Sequence, residues 1–291
     1  MSEPGVVEPL SESARLAWDA APRLCDRGDP AGTCLWYHRV WQYLRLLGII
    51  TSIRTNTDFL VRTFRDCARS GGYRRVLVSA TADYSMLAHL NHAFTQERGP
   101  LHATVIDRCE TSLFLNRWYA DRYGVALSTS RTDVLDYATE EPFDLVCTHN
   151  FLARFDPESR RRLVSHWHSL LRPGGIVITT QRIRPNSQAQ LAFYREDEAR
   201  ELAQRVAAAA RTHPLVSVDP EELGRAVYEY ARRKGGYVIR TGRELTDLFV
   251  EQDFDLRLAD EGEGLAERAR DRPSSTAGKD TYRLRVVARK R

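Results

Sequence analysis

The chain has 291 residues, 42% of them hydrophobic and 28% charged, with a formal net charge of +4. Such values fit a globular protein of one large domain or two small ones. They argue against a nucleic-acid or membrane-surface protein, because the arginines are scattered and no Lys/Arg block stands out. No run approaches the ~18 apolar residues of a membrane span, and the acidic start MSEPGVVEPLSES lacks the basic-then-apolar order of a secretory signal. Five cysteines (Cys25, Cys34, Cys67, Cys109, Cys147) are an odd number with no CxxC. That pattern argues against a disulfide framework or a structural zinc site and predicts reduced, mostly packing thiols in a cytoplasmic protein with no metal.

Residues 1–33, rich in Pro, Gly and acids, read as a flexible arm. From Cys34 the run CLWYHRVWQYLRLLG places Tyr37, Val40, Trp41, Leu44 and Leu47 on one helical face. His38, Gln42 and Arg45 form a second, polar stripe. A further helix is predicted from Asn56 to Arg69, ended by Gly71-Gly72, so 34–72 reads as an N-terminal helical cap. The period then changes. Strands are predicted at 75–79, 102–107, 125–130, 143–150 and 176–181. Helices fall between them at 83–95, 109–124 and 157–171, with Asp83 as an N-cap and Arg172-Pro-Gly-Gly175 as a stop and turn. Strands alternating with helices predict an α/β fold with a doubly wound, mostly parallel sheet over 73–183. Two helices, Gln190 to Thr212 and Asp219 to Lys234, fill 184–240 and read as an inserted lid. The 241–291 segment holds a helix at 244–251 and strands at 254–260 and 282–290, with the loop 261–280 read as disordered.

The turn after the first strand is Ser79-Ala80-Thr81-Ala82-Asp83-Tyr84, and the second strand ends in Asp107. In an open parallel sheet a ligand sits at the carboxyl ends of the strands, and an acid about twenty residues past the first turn accepts from ribose hydroxyls. The order VLVSATADYSMLAHL, ATVIDRCETSLFLNRWYADRYG, RTDVLDY, FDLVCTHNFLARF, LLRPGGIVITTQRI resembles a class I S-adenosylmethionine-dependent methyltransferase over about Tyr73 to Ile183. The last helix and strand pair also fit that family. The resemblance implies a Rossmann-like, seven-stranded sheet with an antiparallel last strand, capped by the N-terminal and inserted helices. Its first loop departs from the family pattern, which has glycines where this chain has Ala80, Ala82 and Tyr84, and an acid where it has Val78.

The family's functional positions fall on residues of this chain. Ser79, Ala80, Thr81, Ala82 and Asp83 would form the loop beneath S-adenosylmethionine, with Asp83 standing in for the missing acid. The alanines permit close approach provided that φ stays negative. Asp107, followed by Arg108, would hold the ribose. Thr132, Asp133 and Val134 would flank the adenine, and Thr148, His149 and Asn150 would underlie the methionine part. Tyr37 and Arg45 would close over the cofactor's carboxylate. His149 and His38 are the candidate bases, since an imidazole titrating near ~6.5 suits that role. His89 with His92, and His166 with His168, lack a third ligand and are not read as metal sites. Arg160, Arg161 and Arg162 read as a solvated helix face, and Trp36, Tyr37, Trp41 and Tyr43 as packing more than a substrate platform. The expected activity is methyl transfer to oxygen, nitrogen or carbon of a small molecule, with no nucleic-acid or membrane partner; a homodimer is allowed for. The alternative keeps the fold and drops the chemistry, leaving a partner subunit, a ligand sensor or a non-methylating enzyme. An NAD-dependent oxidoreductase is disfavoured because no GxGxxG turn is present.

Overall fold

A computed structural model describes residues 5–25, 33–50, 53–261 and 281–291. The predicted loop at 261–280 lies outside the described residues, except for residue 261. In chain order the elements are α1 (Leu10–Leu24), α2 (Leu35–Leu46), α3 (Thr57–Ser70), β1 (Arg75–Ser79), α4 (Ser85–Gln96), β2 (His102–Asp107), α5 (Glu110–Tyr123), β3 (Ala126–Arg131), β4 (Phe143–His149), α6 (Pro157–Leu170), β5 (Leu171–Ile183), β6 (Leu191–Ala192), α7 (Glu196–Thr212), α8 (Pro220–Arg233), β7 (Gly236–Tyr237), α9 (Gly242–Val250), β8 (Phe254–Glu261) and β9 (Tyr282–Lys290).

The main sheet has seven strands in the order β3-β2-β1-β4-β5-β9-β8. β1 to β5 pair in parallel, and β9 runs antiparallel between β5 and β8. This is the predicted Rossmann-like architecture. Central strands buried on both faces carry an apolar run, as in the Val76-Leu77-Val78 of β1. One face packs Trp167, Val164 and Phe249 from α6 and α9; the other packs Phe64, Phe94 and Leu90 from α3 and α4. The sequence order reverses between β1 and β4, so the ligand crevice belongs at their carboxyl ends. β5 begins earlier than predicted. Its register against β4 shifts between Phe143 and Leu145, so the Pro-Gly-Gly stretch is absorbed as a bulge inside the strand. Gly174 takes φ +74° there, and a Cβ on Gly175 would sit 3.1 Å from the Asp144 carbonyl oxygen.

Residues 1–33 are not wholly an arm, as the sequence predicts. Leu10 to Leu24 form α1, which buries Ala14, Ala17, Trp18 and Ala21. Those small and aromatic residues recur at helical spacing, a signal masked by the Pro and Gly on either side. Trp18 packs with Trp41, Leu44, Val206 and Tyr230, so α1, α2, α7 and α8 share one apolar cluster. The inserted segment is therefore a helical cap docked on the N-terminal helices above the crevice. The predicted helix at Gln190 begins six residues late, at Glu196. The intervening residues pair Leu191 and Ala192 with Tyr237 and Gly236 in a small antiparallel ladder.

Candidate active site at the switch point

A cavity of about 640 Å³ opens at the carboxyl ends of β1 and β4, beneath the cap. Two residues with left-handed backbone frame it: Ala80 (φ 57°) directly after β1 and Asn150 (φ 54°) directly after β4. Asn tolerates this region; Ala does so at a cost of about 1–2 kcal/mol. The condition of a negative φ is therefore not met at Ala80. The turn keeps the shape a glycine would give it, because the Ala80 N–H is held by the Ile106 carbonyl at 3.0 Å. Ala80→Gly is expected to raise stability by about 1 kcal/mol, since relief of the strain exceeds the extra freedom of the unfolded chain. Urea denaturation reads this out, and a less stable variant would refute the strain.

Asp107 ends β2 and lies in the cavity wall. Its Oδ2 accepts from the Thr81 N–H at 3.1 Å and its Oδ1 from the Cys109 N–H at 2.7 Å. Each carboxylate oxygen keeps a second lone pair for a ligand. Burial pushes the Asp107 carboxyl above its ordinary range, offset by the His38 charge and these two N–H donors. Tyr84 does not fill the slot. It turns the other way, stacks on Tyr119 at 4.9 Å between ring centres and meets Ser13 Oγ at 3.0 Å.

Asp83 faces the cavity, but its oxygens are taken. Oδ1 accepts from the N–H (2.7 Å) and hydroxyl of Ser85, and Oδ2 from Trp41 Nε1 and Arg45 Nη1, both at 2.8 Å. α4 begins at Ser85 with Tyr84 at its N-cap, so Asp83 stands one residue before the capping position predicted for it, although it still receives the Ser85 N–H; four donors leave it little capacity as a substitute for the missing acid. The polar stripe of α2 (His38, Gln42, Arg45) is buried rather than solvated.

Of the predicted site residues, the fold brings Tyr37, His38, Ala80, Thr81, Ala82, Asp83, Asp107, Arg108, His149 and Asn150 to the cavity wall. Six stand elsewhere. Arg45 lies behind the loop, its guanidinium spent on Asp83 and Glu8. Ser79 accepts from Trp167 Nε1 at 2.9 Å inside the sheet. Thr148 is fully buried in β4 and does not line the cavity. Thr132, Asp133 and Val134 stay outside the wall: the Thr132 N–H is bound to the Asp107 carbonyl, Asp133 accepts from the Leu135 N–H, and Val134 is core. Among the aromatics, Trp36, Tyr37 and Trp41 line the cavity while Tyr43 is core, so the cluster serves both packing and wall. Arg160 is also not solvated; it is buried and donates to the Leu152 carbonyl at 3.0 Å.

His149 places its Nδ1 2.6 Å from Thr180 Oγ1, and its Nε2 has no partner among the described residues. Burial, with Arg283 next in effect, pushes its imidazole well below the ordinary value. It is therefore neutral and a weaker base than an unperturbed histidine, suited to hydrogen bonding more than to proton abstraction. His38 is pulled down by burial and raised more by the Cys109 and Cys25 sulfurs, reaching about 10. Its Nδ1 faces Cys25 Sγ at 3.7 Å, so that ring nitrogen is turned to the thiols and away from a role as base.

The sequence reading missed the cavity's charge. Six arginines and Lys234 line it, against the carboxylates of Asp83 and Asp107 among the described residues, a formal excess of five positive charges (7 − 2). Burial lowers the Arg182 guanidinium, and burial followed by repulsion from Arg182 lowers Arg184 to about 10. The signal lay in QRIR (181–184), whose arginines sit at the carboxyl end of β5, where ligands gather.

No family model matches the chain, and no curated protein matches it. Solved structures match through the fold. Geranyl diphosphate methyltransferase, in complex with S-adenosylmethionine, is 11% identical, with 94% of this chain and 95% of that chain covered and a TM-score of 0.52. The [4+2]-cyclase SpnF is 13% identical, with 80% of each chain covered and a TM-score of 0.50. The 1,6-didemethyltoxoflavin-N1-methyltransferase of Burkholderia thailandensis is 15% identical, covering 87% of this chain and 89% of that chain at a TM-score of 0.49. Identities this low speak to architecture alone. The strand order, the antiparallel β9 and the first two of these neighbours together give this chain the fold of the class I S-adenosylmethionine-dependent methyltransferases.

Proposed function

We propose that the protein is an S-adenosylmethionine-dependent methyltransferase acting on a small, anionic acceptor. The observation that carries the reading is a capped cavity at the switch point with Asp107 in its wall and a large excess of cationic side chains. When bound, S-adenosylmethionine supplies an electrophilic methyl group, and the protein's share of catalysis is alignment. Asp107 would hold the ribose hydroxyls. The Ala80–Ala82 turn offers close backbone approach. Asn150 pins the floor, its Oδ1 accepting from the Arg182 N–H at 3.1 Å. Arg154, Arg182 and Arg184 would neutralise and orient the acceptor's acid group, whose charge would offset the burial that lowers the Arg182 and Arg184 guanidiniums. The cap formed by α2, α7 and α8 excludes water from the exchange.

Calorimetric titration of the full chain with S-adenosylmethionine is expected to give a dissociation constant in the micromolar range. A flat trace at millimolar cofactor would end the reading. That outcome would favour a second one, in which the same pocket serves a reaction other than methyl transfer. The committed oxygens of Asp83 and the strained Ala80 favour this alternative, and the neighbouring cyclase has the same fold.

A further inference from the structure

Three of the five thiols meet at one point with His38. Cys25 lies just past α1, Cys34 and His38 flank the first turn of α2, and Cys109 immediately precedes α5. The three sulfurs and one ring nitrogen all lie within 4.8 Å of one another. Cys25 Sγ is 3.7 Å from Cys109 Sγ and 3.7 Å from His38 Nδ1. A disulfide needs ~2.05 Å between sulfurs. By contrast, a tetrahedral zinc with Zn–S near ~2.3 Å and Zn–N near ~2.05 Å has ligand–ligand edges of about 3.5–3.8 Å. The spacing is that of a coordination sphere and not of a bridge.

The rest of the surroundings fit the same account. Cys34 and His38 are four residues apart, so both donors project from one face of the helix. Cys25, His38 and Cys109 are buried, which shields thiolates from water and oxidants. The Thr111 hydroxyl stands 3.3 Å from Cys25 Sγ, placed to donate to a metal-bound sulfur. Cys67 and Cys147 are buried in a separate apolar cluster and take no part. Three thiolates and one imidazole form a closed zinc set with no open position, and soft sulfur donors select zinc over the oxygen-seeking cations.

We propose that Cys25, Cys34, His38 and Cys109 bind one zinc ion, a structural clamp that fastens α1 and α2 to the cofactor edge of the sheet. Cys109 carries the clamp to that edge, because its N–H is bound to the Asp107 carboxylate. The absence of CxxC concealed the site: Cys25 and Cys109 are 84 residues apart in sequence.

The full chain, purified in reductant, is expected to contain close to one zinc per molecule by elemental mass spectrometry. After chelation, titration with cobalt(II) should produce the intense visible bands of a tetrahedral cobalt–thiolate site, saturating at one equivalent. Chelation should lower the melting temperature and zinc should restore it. Cys25→Ser and Cys109→Ser should abolish the cobalt bands, while Cys67→Ala should keep them. Because a serine variant could fail to fold, the wild-type cobalt titration decides by itself. No bands in the reduced wild-type chain, an octahedral spectrum, or bands that persist in Cys109→Ser would overturn the proposal. None of these readouts involves S-adenosylmethionine, so the clamp can fail while the methyltransferase reading stands, and the reverse.

Discussion

Asp107→Ala is expected to weaken S-adenosylmethionine binding about 100-fold. A hydrogen bond to a charged group contributes roughly 1.5–3 kcal/mol, and a ribose diol offers two donors to one carboxylate. Their sum, discounted for water that refills the vacated site, comes to about 2.7 kcal/mol, the equivalent of about 100-fold in affinity. Asp107 is preset for this task. The Thr81 and Cys109 N–H groups, on opposite sides of it, fix the carboxylate before any ligand arrives. The same bonds mean that the variant also loses stability, so affinity must be read by calorimetry on protein shown to be folded by circular dichroism. An affinity within threefold of the wild type, on folded protein, would remove Asp107 from the site. Asp107→Asn sharpens the test: its amide oxygen can still serve one backbone N–H, but its NH₂ opposes the other and cannot accept from a ribose hydroxyl.

The sheet was legible because its strands are short, apolar and separated by amphipathic helices; β9, at 282–290, falls where the pattern puts it. Helix α1 was not legible. Its buried face is made largely of Ala14, Ala17 and Ala21, residues too small to raise an apolar signal, and Pro22 interrupts its end. Asp107 could be placed from spacing alone, since a residue closing a parallel strand faces the crevice by topology. Arg45 could not. Its helical position says which stripe it shares with His38 and Gln42, but whether that stripe meets solvent or a buried acid depends on α1 and the Glu8 segment packing over it. The φ of Ala80 is likewise invisible in the sequence, because a non-glycine in that turn suggests negative φ, and only the bond from Ala80 N–H to the Ile106 carbonyl overrides that preference. The thiol cluster joins three separate segments, so no local spacing rule could have found it.

Arg45→Met is expected to destabilise the protein by about 4 kcal/mol, lowering the melting temperature by about 10 °C. Arg45 is nearly inaccessible, as are both of its partners: the Glu8 and Asp83 side chains are 6% and 3% exposed. One guanidinium thus ties the N-terminal segment, α2 and the loop after β1 into a single knot. Removing it leaves the buried Asp83 carboxylate without a cation and the buried Glu8 carboxylate with only Arg54, 3.9 Å away, and breaking such a buried pair costs about 3–5 kcal/mol. For a chain of this size each kcal/mol moves the melting temperature by about 2–4 °C. The loss should be largely a charge effect, because Met fills much of the space of the Arg stem. Arg45→Met combined with Glu8→Gln and Asp83→Asn should therefore recover at least half of the lost stability, since the neutral amides need no cation. A single variant within 1 kcal/mol of the wild type, or a triple variant no better than the single one, would show that the charges are not the source. The same substitution bears on function, as Asp83 holds Ser85 at the head of α4 and Trp41 at the cavity wall. With Arg45 gone, the loop beneath the cofactor loses its anchor, and cofactor affinity should fall along with stability.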